Sequence, residues 1–129
     1  MLGVDMAYEI QYPWQRNPRL IKLTFAENLN GNEIASALED IAGLMDQAML
    51  PMHVVLDFSY VQAGPENMLD VFRSSRMIRH EKQGYCLFLS PDKFLRFMGQ
   101  VLHHEAGLHV EFRQTEEDAW NFFSEMGFC

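Results

Sequence analysis

A chain of 129 residues and 15.0 kDa makes one ordinary domain, large enough to bury roughly two thirds of its unfolded surface without disulfide staples. Its 48% apolar and 22% charged residues exclude the low-hydrophobicity composition of disordered chains. A formal charge of -8 and a pI near 5.0 oppose the phosphate backbone, which excludes general nucleic-acid binding without a local basic patch.

The opening segment MLGVDMAYEI carries Asp5 and Glu9 with neither a basic residue nor an apolar h-region, so no signal peptide is expected. No window approaches the ~20 apolar residues of a membrane span, and no membrane partner is expected. Cys86 sits in an apolar run and Cys129 at the far end, with no C-x-x-C pair. That usage points to a reduced, cytoplasmic protein, a Cys86 to Cys129 bridge being the alternative.

In chain order, AYEIQYP alternates Tyr8, Ile10 and Tyr12 against Glu9 and Gln11, the pattern of a half-buried strand that Pro13 stops. RLIKLTF repeats it, with Ile21, Leu23 and Phe25 on one side and Leu20, Lys22 and Thr24 on the other. The loop between them makes an antiparallel hairpin. Asn30 and Glu33 then form a capping-box pair, and Ile34, Leu38, Ile41 and Met45 trace one face of a first helix. HVVLDF is nearly continuous in apolar, largely β-branched residues, as a central strand covered on both faces should be.

Helical spacing returns from Asn67 to about Arg79, through Met68, Val71, Phe72, Ser75 and Ile78. After Gly84, YCLFL reads as a second central strand. In SPDKFLRFMGQVLHH, Ser90 is expected to cap, Pro91 to open the helix and Asp92 to complement its positive end; Gly107 ends it. LHVEFR alternates again, and Thr115 caps a last helix with Ala119, Trp120, Phe122, Phe123 and Met126 on its apolar face. The expectation is a single α/β domain spanning 1–129, with its core at about 8–126. Its order is β-β-α-β-α-β-α-β-α, with a mixed sheet of about five strands.

With that order in place, the stretches LIKLTFAENLNGNEI, PMHVVLDFSYV and TEEDAWNFF resemble the STAS domain, in particular its SpoIIAA-like branch. The resemblance implies a β/α superhelical fold and a small bacterial regulator that binds a protein partner, with no intrinsic catalysis. Asp57, Phe58, Ser59 and Val61 match the family's strand-end phrase. Its phosphorylated serine lies in a D-S-S-G-L-like motif at the start of the next helix, where this chain reads PENML. Pro65, Glu66, Asn67 and Met68 replace the acid, the two serines and the glycine, and neither Glu66 nor Asn67 has a hydroxyl to phosphorylate. The resemblance therefore implies partner binding without the covalent switch.

Asp57 at a strand end, with Ser90 after the next strand, imitates a phosphoacceptor receiver site. Receivers, however, need a pair of acids and a lysine, and this chain offers Glu27 and Arg113. The plainer role is that Asp57 and Ser59 hydrogen-bond the backbone of their own turn. His103 and His104, beside Glu105 and near His109, point about 100° apart on a helix and cannot chelate together, so they belong to a helix end and no metal is expected. Arg73, Arg76, Arg79 and Lys82 make a basic stretch, either an anion or acidic-partner site or a face paired to local acids. Phe94, Leu95, Phe97, Met98, Val101 and Leu102 cover an arc of about 160°, wider than the ~100° stripe that faces one sheet. Leu95 and Phe97 are accordingly expected on a dimer or other apolar surface.

No G-x-S-x-G, P-loop, G-x-G-x-x-G or H-E-x-x-H motif occurs. The expected function is a non-enzymatic protein-binding or regulatory module without cofactor, meeting its partner through Asp57, Ser59, Glu66, Asn67, Arg73 and Arg76. The alternative is a domain binding a small ligand, lipid or nucleotide; a receiver-like domain or a small enzyme comes third.

Overall fold

A computed structural model describes residues 7–127. The two alternating segments pair as an antiparallel hairpin of β1 (Tyr8–Gln11) and β2 (Leu20–Phe25), with Tyr8 opposite Phe25 and Gln11 opposite Lys22. There follow α1 (Gly31–Asp46), β3 (Met52–Asp57), α2 (Met68–Ser74), β4 (Gln83–Leu89), α3 (Lys93–Ala106), β5 (His109–Arg113) and α4 (Glu116–Glu125). The five strands lie in sequence order in one sheet, with β2, β3, β4 and β5 mutually parallel. This is the expected α/β order and mixed sheet.

Local chemistry explains most boundaries. The Asn30 side chain accepts from the Glu33 amide while the Glu33 carboxylate accepts from the Asn30 amide, the reciprocal pair that starts α1. The Thr115 hydroxyl accepts from the Asp118 amide to start α4. Gly107, at φ 71°, ends α3 in the left-handed region, where a Cβ would be strained.

The sheet divides the interior in two. On one face Ile21, Leu23 and Phe25 of β2, with Val54, Leu56, Cys86 and Phe88, pack against Ile34, Leu38 and Ile41 of α1, Phe72 of α2 and Met98 of α3. On the other, Leu20, Val55, Leu87 and Leu89 meet Ala119 and Phe123 of α4, with Trp14 from the hairpin loop. Burying a side chain as large as Phe72 or Phe123 stabilises by roughly 2–3 kcal/mol.

Three expectations are corrected. The second helix ends at Ser74, because Ser75 is extended (φ -72°, ψ 136°) and its hydroxyl accepts from the Met77 amide. Ile78 is still buried, which is why the apolar spacing ran on past the helix. Ser90 does not cap α3: Asp92 does, accepting from the Leu95 amide at 2.8 Å, so Pro91 precedes the helix. Ser90 itself has φ 56° and donates its hydroxyl to the Gln114 carbonyl at 2.7 Å. Finally, β2 has no wet side; all six of its residues are buried, Lys22 and Thr24 included.

Cys86 is a thiol in the core, its pKa pushed up to about 12 by burial. Cys129, and with it the alternative bridge, lies outside the described residues, as does the segment 1–6. No helix among the described residues is long and apolar enough to cross a membrane.

Candidate functional site

The apolar run of β3 carries Asp57 to the end of the sheet, where the chain turns over the strand ends. One carboxylate oxygen of Asp57 accepts from the Ser59 amide at 2.9 Å and from the Ser59 hydroxyl at 2.5 Å. This is the local turn closure that the residue types favour. Ser90 arrives from the neighbouring strand, its Oγ 3.4 Å from that of Ser59.

The other oxygen of Asp57 meets a group that sequence reading passed over. Because Thr24 pairs with Asp57 across β2 and β3, alternation puts Lys22, Thr24 and Asp57 on the α4 side of the sheet. Lys22 Nζ lies 3.5 Å from Asp57 Oδ2 and 3.1 Å from Glu116 Oε2. Glu116 in turn accepts from the Trp14 indole at 3.3 Å. Lys22, Thr24 and Asp57 are only 7%, 8% and 5% exposed. They form the floor of a polar cleft of about 370 Å³. The one available signal was a lysine and a threonine on the same side of an otherwise apolar strand, but their partners come from distant sequence.

The receiver imitation does not assemble here. Asp57 is taken by Ser59 and Lys22, while Arg113 donates to Glu111 at 3.1 Å and lies over the Phe122 ring at 5.0 Å. Among the described residues no group of three His, Cys, Asp or Glu side chains is placed to hold a metal ion. His103 closes the end of α3, its Nδ1 2.7 Å from the Leu108 carbonyl.

Glu66 and Asn67 are exposed where the turn enters α2, and Asn67 occupies the N-cap position without a side-chain capping bond. Asn67 borders a groove of about 560 Å³ between α1 and α2. The basic residues share no helix side, since only Arg73 lies within α2. Arg73 bonds Glu105 at 2.7 Å and Asp70 at 3.0 Å. Arg76 bonds Glu39 and Asp46, each at 2.7 Å, and Arg79 donates to the Arg73 carbonyl at 2.9 Å. The Asp46 carboxyl is held down to about 2 by Arg76 and then His80, and the Arg76 guanidinium is pushed up by Asp46 and Glu39. Acids of α1, α2 and α3 thus meet Arg73 and Arg76, whereas Arg79 and Lys82 donate to backbone carbonyls.

On α3 the wide apolar arc splits. Leu95 is 5% exposed and packs into the core with Met98 and Leu102, so it cannot offer a surface, whereas Phe97 is 55% exposed. Phe94 is exposed too, and it lines a cleft of about 180 Å³ with Phe58, Val61 and Pro65 from the turn after β3 and Met68 at the start of α2. The sequence-derived site residues therefore do not converge. Asp57 and Ser59 serve the strand-end turn and the polar cleft, Asn67 the α1–α2 groove, and the arginines the outer helix contacts.

An antiparallel hairpin leading into parallel strands, with three helices on one face of the sheet and one on the other, defines this chain as a SpoIIAA-like α/β domain in fold. The anti-sigma factor antagonist SpoIIAA in its unphosphorylated form is similar over 92% of this chain and 98% of its own, with a TM-score of 0.66 and 13% identity. The Bacillus cell fate determinant SpoIIAA in its phosphorylated form matches over 90% and 98%, with a TM-score of 0.58 and 14% identity. An uncharacterised protein of the DUF3478 family from Shewanella loihica, also of SpoIIAA-like fold, matches over 95% and 98%, with a TM-score of 0.69 and 7% identity. Identities this low show the shared fold. No protein-family model and no curated protein sequence matches the chain.

Proposed function

We propose that this chain is a non-enzymatic binding module that holds a protein partner on the face built from the turn 58–67 and the start of α3. The observation that carries this reading is that Phe94 and Phe97 stand exposed on α3, Phe94 lining the cleft walled by Phe58, Val61 and Met68, while Tyr60 stands exposed on the turn where it borders the polar cleft. Rigid aromatic rings next to an apolar cleft are what an interface hot spot needs, because covering them removes much apolar area from water at little entropic cost.

The likeness to an anti-sigma factor antagonist supports a regulatory protein as the partner and a cytoplasmic setting. SpoIIAA also exists in a phosphorylated form, but with Glu66 and Asn67 at the resembling positions this chain has no hydroxyl there. Partner binding is therefore retained in this chain without the phosphoryl switch. Asp57 and Ser59 set the shape of the turn, and Glu66 and Asn67 edge the surface. Arg73 and Arg76 brace α2 against acids of α3 and α1. Exposed Phe97 keeps homodimerisation within the same reading.

The test is affinity capture from the native host with wild-type chain and a Tyr60→Ser, Phe94→Ser variant that retains the wild-type urea midpoint. One partner held by the wild type and lost by the variant supports the reading; equal retention by both refutes it.

A further inference from the structure

A second region, on the opposite face of the sheet, has the makings of a ligand site. α4 packs on β4 and β5, and beyond it, over the ends of β1, β2 and β3, the face opens into the polar cleft of about 370 Å³. Folding alone gives little reason for what lies at its floor. An ammonium buried beside a carboxylate loses its hydration, and a packed apolar pair of similar volume is often as stable or more so. Thr24 lines the cleft and is more than nine tenths buried as a residue, and its hydroxyl makes no hydrogen bond among the described residues, yet it is not sealed from solvent. A hydroxyl in an otherwise buried residue that is left unbonded by the protein but open to solvent is available to water or to an occupant of the cleft.

Charge selects the class of ligand. Glu9, Asp57 and Glu116 bring three carboxylates to the lining against the ammonium of Lys22. The Glu9 carboxylate makes no hydrogen bond or ion pair among the described residues. An anion is repelled here and a cation attracted. The remaining lining is mostly hydroxyl and amide, from residues such as Thr24, Tyr60, Gln11 and Gln114. The volume is at the small end of ligand pockets, which limits the occupant to about one sugar ring. We propose that the cleft binds a small hydroxylated amine of the amino-sugar class, its ammonium received by Glu9 and its hydroxyls by Thr24 and Lys22. The same charge disfavours a nucleotide's phosphates in this cleft, which shares only Tyr60 with the residues proposed as partner anchors.

The test is an NMR titration just below pH 7 with glucosamine, glucose and glucose 6-phosphate. Glucosamine is expected to saturate and to move the amides of residues 22–24, 57–60 and 114–116. Glucose should bind about tenfold more weakly, and glucose 6-phosphate should leave those amides in place. Glu9→Gln, on the edge strand, should keep the urea midpoint and weaken glucosamine about tenfold; Thr24→Val should weaken both neutral and cationic sugars. Absence of any saturable shift, equal binding of glucose 6-phosphate, or unchanged glucosamine affinity in Glu9→Gln overturns the assignment. Partner capture is unaffected by any of these results, so the two readings fail separately.

Discussion

Replacing Lys22 by methionine removes the buried ammonium while keeping a stem of similar length within β2. Asp57, 5% exposed, then loses the cation 3.5 Å from its Oδ2. Breaking a buried pair from one side costs roughly 3–5 kcal/mol in a dry interior. Asp57 keeps two hydrogen bonds from Ser59 and the cleft admits water, so the expected loss is smaller, about 2 kcal/mol. For 129 residues that corresponds to a fall in Tm of roughly 6–8 °C. Asp57→Asn should cost less, because Glu116 still neutralises Lys22 at 3.1 Å. In a double-mutant cycle read by urea midpoints at unchanged slope, the two changes should couple by about 1 kcal/mol or more. Additivity within about 0.3 kcal/mol, or a loss under about 0.5 kcal/mol for Lys22→Met, would refute the buried-pair argument.

Three further outcomes follow from other parts of the fold. His53 is held down to about 4, first by burial and then by Arg19, against an ordinary value of 6.5. Between those values the unfolded chain binds the proton and the folded chain does not. Stability is thus full above pH 6.5 and lost as pH falls toward 4; the wild-type urea midpoint should decline across that window and the His53→Gln profile should be flatter. The window is distinct from that of Asp46, whose ordinary value of 3.8 is lowered to about 2 and whose contribution is full above 3.8 and lost as pH falls through 2. Gly84→Ala would place a Cβ 2.3 Å from His53 Nδ1 and 3.0 Å from the Met52 carbonyl. Displacing that ring also breaks the bond it accepts from the Tyr85 amide at 2.9 Å, so a loss of about 2–3 kcal/mol is expected in chemical denaturation. Asp92→Ala should cost about 1 kcal/mol through the lost cap of α3, measurable as a lower urea midpoint; no change would return the cap to Ser90.

Elements with a local cause were legible in the sequence. The capping box at Asn30, the Thr115 cap, the Gly107 stop and the apolar run of β3 each depend on residues within a few positions of one another, and each stands in the structure. Boundaries failed where burial continued after the backbone changed state. Met77 and Ile78 fill the core from a turn, so their spacing imitated a longer helix. Site residues were less legible because their partners come from far along the chain. Lys22 meets Glu116, and Arg76 meets Glu39 and Asp46. Charge spacing showed a basic stretch but not the acids that face it. Likewise, a wide apolar arc could not separate Leu95, turned to the core, from Phe94 and Phe97, left in solvent.

Partner binding at the strand-end face is what distinguishes this module. Hydrogen exchange of the chain alone and in complex with its captured partner tests that most directly. Slowed exchange is expected in residues 58–69 and 92–98 on complex formation, with 109–113 at the far edge of the sheet unchanged. Protection confined to β5 or α4, with the turn and the start of α3 exchanging as in the free chain, would contradict it.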